Sequence, residues 1–351
     1  MADPTTAPPA WPRMLYTTAA AVAGGLLFSL LHIPLPWMIG SLIATAALIW
    51  RTEAEAPPGA RPISLVLLGL GLGQTFTGPV MVAVVGALPA LVVAGVVTIA
   101  SGLLVARLFM WLADTDARTG FFCAVPGGIV VMAVLGQRAG AHGPSVTLSQ
   151  TLRMVLVVLV FPPLISLIAP HAADGAFSAP RPDVTAWGLP VLLAAGTAVA
   201  VLANRLGFVN PWMLGPCFMT IGLSALGLMP SGLPLWLVDA AQIGMGMTLG
   251  LKLTKRFLLG SRRLLIASIL STLALSVLLA VLAVPLGWGF GLPPTAVVLG
   301  MAPGGMPEMA ITAKALDLAV PLVLGFHLTR VVLCNLLIQP IWKLGLRLGL
   351  V

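Results

Sequence analysis

Pro126-Gly127-Gly128 interrupts an apolar stretch, and the same three residues return as Pro303-Gly304-Gly305 at an offset of 177 positions (303 − 126). A second block, Pro36-Trp37-Met38-Ile39-Gly40, returns as Pro211-Trp212-Met213-Leu214-Gly215 at an offset of 175 (211 − 36). Blocks that recur in the same order at nearly constant spacing are typical of an internal duplication, which fixes the architecture before any single element is considered.

Two further pairs keep the offset of 177, namely Arg153 with Arg330 and Pro163 with Pro340. The duplication therefore predicts three segments. They are repeat 1 at 14–169, a linker at 170–184 that is rich in proline and small polar residues, and repeat 2 at 185–345.

The composition indicates a membrane protein. The chain is 59% hydrophobic and 8% charged, with a mean hydropathy of +1.08, whereas a soluble domain carries about 25% charged residues. A membrane-spanning helix needs roughly 20 apolar residues. Long apolar runs lie at 14–31, 88–112, 146–169, 186–203, 264–284 and 319–342, and shorter ones lie at 36–50, 63–77, 211–228 and 233–251.

The net charge of +8 is interpreted as a topology signal and not as a nucleic-acid site. The basic residues stand beside the ends of the apolar runs, as in cytoplasmic loops that also meet anionic headgroups. The clearest of them are Arg51, Arg61, Arg107, Arg118, Lys252, Lys255, Arg256, Arg262, Arg263, Lys343 and Arg347.

The same charges predict the orientation of the repeats. Each half is interpreted as six elements, and the basic loops at 107–118 and 252–263 fall on one side only if each half crosses the membrane an odd number of times. The element that fails to cross is then the one opened by Pro-Gly-Gly, at 125–138 and 302–316. This predicts an all-α polytopic membrane protein with two inverted-topology repeats and broken or re-entrant helices, the pattern of secondary transporters.

Charged residues inside apolar segments are costly and usually functional. Glu308, Lys314, Arg330 and Arg153 stand out, and His327 lies three residues before Arg330 on the same side of one helix. We expect Glu308, Arg330 and His327 to form a small polar centre near the broken helix. Glu308 is suited to a proton or cation, Arg330 to an anion or to Glu308, and His327 to proton transfer or a hydrogen bond. A purely structural Arg330–Glu308 pair is the alternative, and Arg153 has the alternative of reaching towards the membrane interface.

The glycines of the two breaks, Gly127, Gly128, Gly304 and Gly305, belong to the same predicted site, because helix N-termini there offer N–H donors to an anion. The first repeat differs at two places: Val131 replaces Glu308, and Gln150 replaces His327. The predicted site is therefore asymmetric. Its excess of positive charge favours an anionic solute.

The repeated pair Gly69-Leu70-Gly71 and Gly244-Met245-Gly246 is interpreted as helix packing, with backbone contact to a ligand as the alternative. Trp37 and Trp212 are interpreted as interfacial anchors, with a place on a substrate path or a packing interface as the alternative. The three cysteines are far apart in the sequence and predict neither a disulfide framework nor a metal site.

Enzymatic function is not expected. The four histidines are scattered without metal-ligand spacing, and no motif of a known catalytic class stands in a suitable context. The sequence therefore predicts no catalytic residues, no metal and no cofactor.

Together the repeated Pro-Trp-x-x-Gly blocks, Pro303-Gly304-Gly305, Glu308-Met309 and His327-x-x-Arg330 resemble the AbrB-type family of duplicated membrane proteins, over about residues 14–345. The resemblance implies a multi-pass protein of the bacterial inner membrane. Family members carry labels such as ammonia monooxygenase, regulator of gene expression and AbrB family transporter. The monooxygenase label has no support in the metal ligands of this chain.

We therefore expect a secondary transporter of a small polar solute, an organic anion or a small amine, with proton coupling through Glu308. The expected partners are that solute and the lipid bilayer, without nucleic acid, and the glycines are compatible with a homodimer. The alternative is an integral membrane regulator that changes gene expression indirectly, without binding DNA.

Overall fold

The computed structural model describes residues 11–168, 177, 182–208 and 210–347. Within these residues the chain forms sixteen helices and no strand. Most of the predicted linker at 170–184 lies outside the described residues.

The first half contains eight of these helices: α1 (Trp11–Leu30), α2 (Pro36–Ile49), α3 (Ala60–Gly73), α4 (Gly78–Gly86), α5 (Leu88–Ala113), α6 (Ala117–Ala124), α7 (Ile129–Arg138) and α8 (Gly143–Ile168). The second half contains the other eight: α9 (Gly188–Arg205), α10 (Pro211–Ala225), α11 (Leu235–Gly250), α12 (Lys255–Leu259), α13 (Arg262–Phe290), α14 (Pro294–Met301), α15 (Met306–Ala315) and α16 (Val320–Arg347). The two series correspond one to one in order.

The prediction of six elements in each half was wrong, because several elements are split. The Pro-Gly-Gly segments separate α6 from α7 and α14 from α15. In addition α4 stands apart from α5, whose second residue, Pro89, has no N–H with which to continue the preceding helix. A short α12 begins after Thr254, whose side chain accepts a hydrogen bond from the N–H of Phe257.

In the described part of the chain five helices are long and apolar enough to cross a membrane, namely α1, α5, α8, α9 and α13. Two bent pairs raise the number to seven if each is one span: α3 with α4, bent by 91°, and the two parts of α16, bent by 45°. The prediction of an all-helical, polytopic membrane protein with broken helices is confirmed.

One contact relates two of the predicted cytoplasmic loops. Arg263 Nη1 donates to Asp114 Oδ2 at 3.1 Å, and both side chains are exposed. The end of α5 and the start of α13 therefore lie at the same end of the molecule, as the charge argument requires. The inverted orientation of the two repeats stays a prediction.

Helices of one half pack against helices of the other. α2 contacts α11 and α3 contacts α10, and these are equivalent pairs after exchange of the halves. A side chain at Gly69 would collide with the carbonyl oxygen of Met213, and one at Gly246 would collide with Ser41 and Met38. The repeated glycines therefore serve helix packing.

The two repeated tryptophans also serve packing and not only anchoring. The ring of Trp37 lies against Gly25 of α1, and Trp212 is partly buried against the core. The first interpretation, interfacial anchors, does not describe these contacts. Small residues such as Gly25 let the large ring approach the neighbouring helix closely.

We expect Gly69→Ala to lower the free energy of unfolding by about 1–3 kcal/mol, because the added methyl group meets backbone that cannot move aside. The matched control is Gly222→Ala, since nothing lies within 4 Å of a side chain at that position. Thermal unfolding of the purified variants in detergent measures the difference. Equal stability of the two variants would contradict the assignment of Gly69 to packing.

Candidate functional site

A cavity of about 240 Å³ lies between the two Pro-Gly-Gly breaks. Both breaks and the first turns of α7 and α15 contribute to its wall, so the two halves of the duplication meet there. Its polar and small lining residues include Gly127, Gly128, Gly304, Gly305, Arg61, Arg153, Arg330, Asn210 and Glu308.

Arg330 stabilises the second break. Its Nη1 donates to the carbonyl oxygen of Ala302 and its Nη2 donates to that of Gly304, both at 2.7 Å. These two residues flank Pro303, where the helical hydrogen bonding stops. The guanidinium group therefore supplies donors to backbone oxygens that the interrupted helix leaves without partners.

Arg153 does the same for the first break. Its Nη1 donates to Val125 O at 3.2 Å and its Nη2 to Gly127 O at 3.1 Å. The sequence separations, 28 and 26 residues, equal those of Arg330 from its own acceptors. Arg153 is only 6% exposed, so the alternative in which it reaches towards the membrane interface is wrong.

Each break also contacts a long helix of the other repeat. Arg153 Nε donates to Pro303 O at 3.0 Å, and Cys334 Sγ donates to Pro126 O at 3.3 Å. A side chain at Gly304 would approach Val157, the counterpart of Cys334, to 2.8 Å. These crossed contacts hold the two breaks against each other.

His327 lies outside the cavity lining. Its Nε2 is 3.3 Å from Leu299 O, while its Nδ1 has no hydrogen-bond partner. Its counterpart Gln150 donates to Phe122 O at 2.8 Å, across the same separation of 28 residues. His327 therefore lies beside α14 and not in the wall of the cavity, where the sequence predicts it.

Glu308 lines the cavity, and it is 1% exposed. Its Oε2 has no hydrogen-bond partner, and the carboxylate lies over Gly305 at the start of its own helix. The guanidinium of Arg330 donates to Ala302 O and Gly304 O, and it makes no ion pair with Glu308. The alternative of an Arg330–Glu308 pair is therefore wrong, because Arg330 is engaged with backbone carbonyls.

Arg61 and Asn210 were missed as site residues. Arg61 had been assigned to topology, yet it lines the cavity and its charge acts on Glu308. Asn210 precedes the repeated Pro-Trp block in a left-handed conformation with φ 50°. No sequence signal distinguishes Arg61 from the other loop cations, because its position depends on how α3 packs.

Lys252, in the turn after α11, adds a further cation near this region. Burial, together with the charge of Arg61, lowers the pKa of Lys252 to about 8 against the opposing effect of Glu308. Lys314, near the end of α15, donates to Gly71 O at 3.1 Å and lies outside the cavity lining. In the cavity wall itself three arginines outnumber the single carboxylate, which suits the binding of an anion.

We expect Arg330→Lys to destabilise the fold, because one ammonium group cannot keep the two-pronged contact with Ala302 O and Gly304 O. A buried carbonyl without a donor costs about 1–3 kcal/mol. The matched control is Arg263→Lys, whose exposed pair with Asp114 contributes about 0–1 kcal/mol. Thermal unfolding in detergent compares the two, and an equal change in both would contradict the role of Arg330.

The family model described as "Transition state regulatory protein AbrB" matches residues 37–345. "Uncharacterized protein YhjN" of Bacillus subtilis (strain 168) is 30% identical over an alignment of 355 positions, which spans 94% of this chain and 92% of that protein. "Putative regulator AbrB" of Escherichia coli (strain K12) is 25% identical over 308 residues, 86% of this chain and 88% of that protein. The resemblance seen in the sequence is thereby confirmed, and the chain belongs to the AbrB family.

Proposed function

We propose that this chain is a secondary transporter of a small organic anion, with the cavity between α7 and α15 as its solute site. One observation carries the proposal: two broken helices, one from each half of a duplicated chain, present their first turns to a single cavity. Discontinuous helices whose termini meet at the repeat interface are how secondary transporters build substrate sites.

The charge of the lining favours an anion over an amine. Arg61, Arg153 and Arg330 line the cavity, against one carboxylate, that of Glu308. The volume is about 240 Å³, below the roughly 300–1,000 Å³ of sites for drug-sized ligands. A solute of a few carbon atoms with one carboxylate fits both constraints.

Glu308 is the proposed carrier of a coupled proton. It is buried, one of its oxygens has no partner, and the cations whose charge acts on it are Arg61 and Lys252. Ionisable residues of this kind inside the membrane mark proton relays in pumps and transporters. Substitution of its carboxylate should therefore remove coupling without removing the solute site.

The same proposal accommodates a regulatory role. The Escherichia coli relative carries the name of a regulator, and a transporter that changes the cellular level of a solute also changes gene expression without touching DNA. The proposal thus makes the chain a carrier and not an enzyme. Its place is the bacterial inner membrane, with the solute and the lipid bilayer as its partners.

We expect purified wild-type protein in liposomes to take up radiolabelled acetate, propionate or butyrate, but not methylammonium, and to do so faster under an inward proton gradient. Glu308→Gln should lose the response to the gradient, because its amide cannot release a proton. The matched control is Glu53→Gln, since Glu53 is an exposed carboxylate paired with Arg13. Uptake of methylammonium and of no carboxylate would contradict the proposal, as would an unchanged gradient response in Glu308→Gln.

A further inference from the structure

We infer that the carboxylate of the solute binds at the first turn of α7, in the place that corresponds to the position of the Glu308 carboxylate at the first turn of α15. The inference rests on the proposed function and specifies it. The chain would then hold its own anion in one half of the site and the anion of the solute in the other.

The first turn of α15 is already occupied. Gly305 precedes the helix, and Glu308 is the third helical residue, from which a glutamate side chain reaches back to the start of the helix. A side chain at Gly305 would collide with the carboxylate of Glu308. The partial positive charge of this helix terminus therefore faces an internal anion.

The first turn of α7 has the same geometry without the anion. Gly128 precedes the helix and no side chain caps it, while Val131 stands where Glu308 stands in the other repeat. A side chain at Gly128 would meet nothing closer than 3.7 Å, which is a methyl group of Val131. The space that Glu308 fills beside Gly305 is thus open beside Gly128.

The first turn of α7 also has more N–H donors. The first N–H groups of a helix have no acceptor within that helix. Pro307, the second residue of α15, has no N–H, whereas its counterpart Val130 keeps one. α7 therefore offers the N–H groups of three successive residues to an anion, and α15 offers two.

The cavity connects the two turns and provides a second indication of a ligand. Gly127, Gly128 and Val131 line it from one side, and Glu308 lines it from the other. The partnerless Oε2 of Glu308 is buried in this wall. An unsatisfied buried carboxylate oxygen requires an explanation, and a solute carboxylate in the same cavity that shares one proton with Glu308 provides one.

Arg153 adds a positive charge beside the first turn of α7. Its guanidinium binds the carbonyl oxygens of Val125 and Gly127, just before α7, and so holds the backbone that leads into the first turn of this helix. Its own charge lies in the same wall. A carboxylate at α7 would therefore meet both the helix terminus and a fixed cation.

The test is the affinity of the purified protein for acetate, measured in detergent at constant ionic strength. Val131→Glu adds an internal carboxylate to α7, and we expect it to weaken acetate binding by about tenfold or more. The double variant Val131→Glu with Glu308→Val moves the internal anion to the other half and should recover binding. The control is Gln137→Glu, which adds a carboxylate at an exposed position of the same helix.

A second variant keeps the test decisive if Val131→Glu does not fold. Val130→Pro copies Pro307 and removes one N–H from the first turn, where proline is well tolerated. We expect acetate affinity to fall by about tenfold, the loss of one hydrogen bond to a charged group.

Unchanged affinity in a folded Val130→Pro protein, or in a folded Val131→Glu protein, overturns the inference. Such a result leaves the proposed function standing, because the wild type still binds acetate. A wild type that binds none of acetate, propionate and butyrate contradicts the anion class itself, and with it this placement.

Discussion

Two arginines that donate to the carbonyl oxygens of two Pro-Gly-Gly breaks are the contacts on which the rest of the site depends. An interrupted helix inside a membrane leaves backbone groups without partners, at a cost of several kcal/mol each. Arg330 and Arg153 meet this cost at the same sequence separation from their breaks. These hydrogen bonds allow irregular backbone, and with it the N-termini of α7 and α15, to lie inside the protein.

The duplication supplies two similar halves, and a few substitutions make them different. α15 carries Glu308 and Pro307, whereas α7 carries Val131 and Val130 at the same places. Both first turns line the same cavity. The turn of α15 faces the carboxylate of Glu308, and the corresponding space at the turn of α7 is open. The two repeats share one helical plan, and these residues are where they differ at the cavity.

Much of the fold could be predicted from the sequence, because repeated blocks and apolar runs are patterns that can be seen along the chain without knowing its packing. The long helices, the breaks and the equivalence of Arg153 and Arg330 in the two repeats all follow from the sequence. The partners of those arginines do not, because a guanidinium bonds to whichever acceptor the neighbouring helix brings near. For the same reason the sequence does not show that Arg61 lines the cavity, that His327 lies outside it, or that Arg330 binds backbone oxygens and not Glu308.

As the solute site of the proposed transporter, the cavity between the two breaks must be exposed in turn to each side of the membrane. This requirement is tested most directly by Val131→Cys in a protein whose three native cysteines are replaced, labelled with a membrane-impermeant thiol reagent in vesicles of either orientation. The account predicts that the reagent reaches this position from both sides and that acetate slows its reaction. Labelling from one side only, or labelling that acetate does not slow, would contradict it.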